Sequence, residues 1–250
     1  SVFTINGGTH NITNGLVLDG NFDFTNATLT GVGGTFTTLA SSQVVMDDPT
    51  IQGLNWLSQG TVDWIPANTS ASNFILDTAT FTNQGTLLLQ NINAGSFVDI
   101  VGTSSLVNDV TGVINASPTT DLVILVPVTN NATTGSFNQL SGLTRLNSTG
   151  NTNQGNINLA AGTTLQIISG NSLSLNAGTD FSGSTGTLGI SGGTVDVSSP
   201  LDLSAIAMTL NLNGGGTITN VQNLTIPDTF NFTAGSIIGD GVGTFTTLAS

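Results

Sequence analysis

The chain has 250 residues, with no Lys, Glu, Cys or Tyr, and sets one Arg (Arg145) and one His (His10) against 14 Asp, for a net charge of -13. A single fixed cation cannot neutralise phosphates, which excludes nucleic-acid binding and attraction to anionic lipid headgroups. Without Cys there is no disulfide framework, and 38% hydrophobic content with 12 Phe is too apolar for a disordered segment.

Short runs of period two recur from one end of the chain to the other: FDF (22–24), VDW (62–64), LSL (173–175), VDV (195–197), LDL (201–203), LNL (210–212) and FNF (230–232). Each sets two inward apolar residues around an outward polar one, as a half-buried strand does, and Gly, Asn and Ser separate them as turns require. No stretch carries a sustained helical period. The longest apolar run, LVILVPV (122–128), has seven residues, against about 20 for a membrane-spanning helix. Pro127 cannot donate within a central ladder, which places that run beside a loop or at an edge.

The spacing of the runs fixes the architecture. From residue 155 onward strands are predicted to begin near Ile157, Leu165, Leu173, Phe181, Leu188, Val195, Leu201 and Leu210. Steps this short leave no room for hairpins with strands of about five or six residues plus loops. They fit a coil with three short strands per turn and a rung of about 23 residues, stacked at ~4.8 Å. The expectation is an all-β, parallel β-solenoid of about eleven rungs, one elongated domain over residues 1–250 and a rod ~50 Å long. A β-sandwich array is the alternative, because Thr-, Asn- and Gly-rich strands also occur there.

The sequence also repeats itself. GTFTTLAS occupies residues 34–41 and again 243–250, and Leu16, Phe22 and Phe24 match Leu224, Phe230 and Phe232 at a constant offset of 208. Further back, INGG (5–8) faces LNGG (212–215). Residues 1–41 therefore read as a divergent copy of 208–250, as in a tandem array with a period of about 208 residues. The echo predicts that both copies form the same strand of the same rung, one repeat apart.

Two phrases carry a family resemblance. One is FTNQGTLLL (81–89), with echoes in NQGNINL (153–159) and TGTLGI (185–190); the other is LTIPDTFNFTAGSIIGDGVGTFTT (224–247), echoed at 16–38. Both resemble rungs of large repetitive bacterial surface proteins and adhesins with right-handed β-helices, of the filamentous-haemagglutinin-like or pectate-lyase-like type. The resemblance implies an extracellular or cell-surface, fibrous or adhesive protein. The scarcity of Lys and Arg also leaves few sites for trypsin-like proteases, which suits exposure to the outside. The calcium-binding nonapeptide of roll-type solenoids is absent.

Candidate sites are few. Asp47 and Asp48 form the only adjacent carboxylate pair, and turn residues ahead of Pro49 explain them better than catalysis. With Asp240 they are weak calcium candidates, on the strength of hard oxygen ligands and the chain's negative charge; no other cofactor is expected. Arg145 suits an outward strand position, and His10 has no second His for a metal site. Trp56 and Trp64, in GLNWLSQGTVDWIP (53–66), offer a sugar-stacking platform if exposed and core packing if not. TFTT (35–38, 244–247) and TATFT (78–82) are isolated rather than repeated once per rung, so a flat Thr array for ice is not expected. The chain is read as a non-enzymatic structural subunit, or repeat segment, of an extracellular filament or long adhesin. Its partner is itself, through continuous or head-to-tail stacking. The assembly junction is placed at Phe22, Phe24, Phe36 and Leu39 and at Phe230, Phe232, Phe245 and Leu248. A carbohydrate-binding module and a polysaccharide-acting β-helix enzyme are the alternatives.

Overall fold

The computed structural model describes residues 2–66, 72–91, 97–102, 104–119, 121–131, 133–219 and 221–247. Among them there is no helix; short strands follow one another from Val2–Asn6 to Phe245–Thr246. Each strand pairs in parallel with one about a turn earlier and one about a turn later. The result is a parallel β-solenoid of about ten turns with a repeat of about 22 residues. The coils are not uniform: the step from Gln43 to its partner Thr61 is 18 residues, and that from Thr86 to Val113 is 27. Turns absorb the difference, because the strands themselves have no freedom to change length without losing register.

Every coil has three faces. The first begins with Val2–Asn6, Asn21–Thr25, Gln43–Asp47 and Thr61–Trp64 and runs on to Asn156–Leu159. Beyond a single bridge from Asn156 to Asp180, its place in the coil is taken by Leu201–Asp202, Leu224–Thr225 and Phe245–Thr246. The second face runs from Thr9–Asn11 to Thr229–Phe232, and the third from Leu16–Leu18 to Gly235–Ile237. Every strand start foreseen after residue 155 lies in or beside one of these strands, with Phe181 next to the bridging Asp180.

In two coils one strand serves both the second and third faces. Thr28–Thr38 bends between Thr30 and Gly34, where its register against Thr50–Ser58 shifts. Gly31 makes the bend possible: a Cβ there would stand 2.4 Å from the carbonyl oxygen of Ile12 in the coil below. The LVILVPV run turns the same corner further on. Asp121–Ile124 lies on the second face and Val128–Asn130 on the third, with Pro127 between them accepting a hydrogen bond from the Leu106 N–H at 3.0 Å.

Alternation fills the interior. On the first face Phe22, Val44, Val62, Leu87, Ile114, Phe137 and Ile157 stack in one inward column. Phe24, Met46, Trp64, Leu89, Ala116, Gln139 and Leu159 form the next, and the inward side chains make one continuous apolar core. Six aromatic side chains meet in the early coils: Trp56 packs tilted against Phe36 at 4.9 Å and edge-on against Phe81 at 4.8 Å, flanked by Phe24, Phe74 and Trp64.

Candidate functional surfaces

A polar column crosses the apolar core. At the end of successive third-face strands, Thr38, Ser58, Asn83, Asn108, Asn130 and Asn153 lie in register, all buried. Asn83 donates to the Oδ1 of Asn108 at 2.8 Å, Asn108 to Asn130 at 2.9 Å and Asn130 to Asn153 at 2.6 Å. The amides also donate to backbone carbonyls: Asn108 Nδ2 to Gly112 O at 2.9 Å and Asn153 Nδ2 to Gly155 O at 2.8 Å tie their strands to the turns that follow, while Asn130 Nδ2 reaches the Asn156 carbonyl of a first-face strand at 3.3 Å. All its members donate in one direction, which leaves the Oδ1 of Asn83, the first Asn, as a buried acceptor without a donor. It stops where Leu175 takes the place in register with Asn153. A second ladder, Asn115, Asn138 and Asn158, runs half-buried on the first face with the opposite polarity, at 2.8 Å per step.

Trp56 and Trp64 are both 0% exposed. Neither can offer a ring to a sugar, which corrects the platform reading: they point inward because they hold the same alternation positions as Phe36 and Met46. The three calcium candidates do not come together. Asp47 ends a first-face strand and Asp48 turns the corner at a φ of 47°, its Oδ1 accepting from the Asn73 N–H at 2.9 Å. Asp240 lies near the opposite end of the rod. Its Oδ1 accepts from the N–H groups of Val242 (2.9 Å) and Gly243 (3.0 Å), and its other oxygen from Gln222. Among the described residues no three metal-binding side chains gather.

The remaining titratable groups are structural. Arg145 faces outward on its strand, 2.8 Å from Asp121 and 3.2 Å from Gln166 Oε1. His10 is exposed in Thr9–Asn11 and reaches Gly7 O at 3.1 Å. Burial pushes the Asp63 carboxyl above the usual carboxylate range, partly offset by Gln90 Nε2 at 2.7 Å. The backbone N–H groups of Gly243 and Val242 hold Asp240 below it, and that of Ser204 does the same for Asp202. Two interior gaps, of about 20 and 10 Å³, are lined almost wholly by apolar side chains such as Phe137, Leu146, Leu188 and Leu210. The smaller could at most hold one water and neither could hold a larger ligand.

Two larger open grooves lie at the two ends of the coil. One, of about 480 Å³, is lined by Asn211, Asn213 and Phe230 to Thr233; the other, of about 260 Å³, by Val2, Asn21 to Asp23, Gln43 and Val45. Two exposed aromatic residues near these grooves, Phe3 and Phe232, hold inward positions, while Val2 alternates outward. Phe3, 58% exposed, precedes Phe22 in its column, and Phe232, 53% exposed, follows Leu212 in another. Phe230 stacks on Phe232 at 6.0 Å and meets Phe245 edge-on. Of the residues assigned to a junction by sequence, Phe230, Phe232 and Phe245 are at least partly open. Phe22, Phe24 and Phe36 are buried, because neighbouring coils cover them on both sides, and Leu39 is half-buried at a corner. Leu248 lies outside the described residues. Phe3 went unnoticed because it lies outside the echoed phrase, yet its place in VFTI is an inward one.

The duplicated phrases occupy different faces. Phe22 and Phe24 stand on the first face, and their counterparts Phe230 and Phe232 on the second. Phe36 stands on the third face and its counterpart Phe245 on the first. The whole later copy is advanced by one face relative to the earlier one, not set in the same strand of the rung. An offset of 208 residues is not a whole number of coils of about 22 residues, so the two copies need not share a face.

No known protein family, curated protein or solved structure matches the chain.

Proposed function

We propose that the chain is a structural subunit or repeat segment of an extracellular filament or long surface adhesin, built by continuous β-stacking and performing no catalysis. The observation that supports this reading is the continuous stack itself: about ten coils in parallel register, with inward apolar columns such as that from Phe22 to Ile157 and a buried Asn ladder along it, a scaffold that lengthens by adding coils.

Composition supports a mechanical role. Hydrogen-bonded Asn columns replace charged pairs, so coils 4.7–4.9 Å apart stack without like-charge repulsion along the ladders. Near-absence of Lys and Arg supports an exposed, protease-rich setting. Stacking of one end on the other is heterologous and does not close, so it propagates as a fibre.

Electron microscopy of concentrated protein, and of the native assembly, tests the reading. Unbranched filaments with an axial spacing near 4.8 Å are expected. A protein that stays monomeric by sedimentation at high concentration and high salt, from a parent with no further repeats, would sink it.

A further inference from the structure

The stacking is interrupted inside the rod, where residues 151–159 meet the stretch 176–186 of the next coil. We infer that this seam divides the rod into two cooperative blocks, residues 2–175 and 187–247, and that the later block opens and unfolds as a unit while the earlier one stays folded.

Three ladders that run through the earlier coils stop at this level. The first is the backbone of the first face. Eight strands pair in unbroken order from Val2–Asn6 to Asn156–Leu159, and three more, from Leu201–Asp202 to Phe245–Thr246, pair only among themselves. Between the two groups the described residues hold one bridge, Asn156 to Asp180. The second is the buried Asn column. It ends with Asn153 donating to Thr179 Oγ1 at 3.1 Å, and apolar Leu175 and Val197 take its place in the coils above. The third, the half-buried column of Asn115, Asn138 and Asn158, goes no further than Asn158.

The local sequence explains the break. Where a first-face strand would alternate, AGTDFSGSTG (177–186) supplies turn residues. Two turns follow in succession, closed by the Thr179 N–H on Asn176 O and the Ser184 N–H on Phe181 O, each at 3.0 Å. Phe181 still fills the core at 1% exposure, so what is lost is backbone pairing rather than apolar burial. The Ser184 side chain stands in for a strand: its Oγ donates to Ile157 O at 2.9 Å and accepts from the Leu159 N–H at 3.0 Å. Asn156 Oδ1 is left buried without a donor.

The blocks stay joined by five residue pairs on the second face, Thr164–Ile168 with Thr187–Ser191, and four on the third, Ser172–Leu175 with Thr194–Val197. A gap on one face beside intact sheets on the other two is the geometry of a hinge. In a stack of coils stability is a sum of coil and interface terms, so cooperativity divides at the weakest interface. The later block is the weaker side. Its first-face strands have two residues each, against four to six in the earlier block, which also holds the six-aromatic cluster and the buried Asn column. In a rod under load the seam is a release point. This division belongs to the single rod and does not depend on what the rod assembles into.

Trp56 and Trp64 both lie in the earlier block, so their fluorescence reports that block alone, whereas far-UV circular dichroism reports both. Urea unfolding of the full chain should give two circular-dichroism transitions, the first of them silent in fluorescence. Leu212→Ala, in the core of the later block, should move only the first transition to lower urea, and Phe74→Ala, in the earlier block, only the second. If Leu212→Ala leaves the later block unfolded from the start, the fluorescence transition should still survive unchanged. Hydrogen exchange then locates the boundary: protection should be even across residues 194–219 and about tenfold or more below that of residues 136–159. One transition shared by both signals, with both variants moving it together, overturns the division. So does protection that declines evenly from coil to coil with no step at 176–186, which is fraying without a seam.

Discussion

Asn83 donates its Nδ2 hydrogen to the Oδ1 of Asn108 across 2.8 Å, with both side chains fully buried inside an otherwise apolar core. A buried amide is tolerated only when nearly all its bonds are made, and here Asn83, Asn108 and Asn130 each donate to the next Asn and to a backbone carbonyl.

Breaking the ladder in its middle should therefore cost more than removing an incompletely bonded polar group elsewhere in the core. Asn108→Leu leaves the Asn83 amide, Asn130 Oδ1 and the carbonyls of Gly112 and Ser136 short of a partner. The expected loss is about 2–4 kcal/mol. Gln139→Leu is the contrast: its Oε1 already lacks a partner and its column neighbours are Ala116 and Leu159. Urea unfolding should show that variant within about 1 kcal/mol of the parent, or more stable.

Trp56 should behave as a core residue. Trp56→Ala is expected to cost about 3–5 kcal/mol, and Trp56→Phe, which keeps the packing against Phe36 and Phe81, clearly less. Native emission should be blue-shifted and insensitive to acrylamide, for Trp64 as well. Strong quenching in the folded protein would contradict the burial.

Glycines separate into two kinds, as the turn residue Gly85 and the strand residue Gly189 show. A Cβ on Gly85 would fall 2.0 Å from the Gly60 carbonyl oxygen of the coil below, so Gly85→Ala must push two turns apart, at about 1–3 kcal/mol. Gly189 meets nothing nearer than 3.5 Å, so Gly189→Ala should be tolerated. Thermal melts of the two variants give the comparison.

Two carboxylates should carry opposite pH signatures. Asp240 is held below its unfolded pKa, so its contribution to stability is present above about pH 4 and is lost as pH falls through the folded value. Asp240→Asn is thus less stable than the parent at pH 7, and the difference shrinks as the pH falls below about 4. Asp63 is held above its unfolded pKa by burial, so its ionised form opposes folding at neutral pH and the penalty disappears on acidification. Asp63→Asn, which can still accept from Gln90, should raise the melting temperature at pH 7 and not at pH 2.

Much of the fold can be read from residues alone. Strands such as Asn156–Leu159, Thr164–Ile168 and Ser172–Leu175 announce themselves by alternation, and their short spacing favours a coil over a sandwich. Burial of the tryptophans is less legible. VDW reads equally as a platform or a core strand until Met46 and Leu89 are found above and below it. The Asn ladder has a sequence trace, the Asn that closes FTN (81–83), VTN (128–130) and NTN (151–153), but not a unique one, since other Asn sit in turns.

By itself the sequence determined the repeating unit: a short apolar–polar–apolar strand, a turn, and enough of both to make about ten coils. Local backbone preference and alternation act within a few residues, so they are written locally. Only the tertiary structure decided which face each strand joins. Coils of 18 to 27 residues accumulate phase with every turn, and the echoed phrases at 16–38 and 224–247 arrive one face apart although they share the same apolar landmarks. Register in a solenoid is set by what lies beneath, coil by coil, and no single stretch of sequence contains that sum.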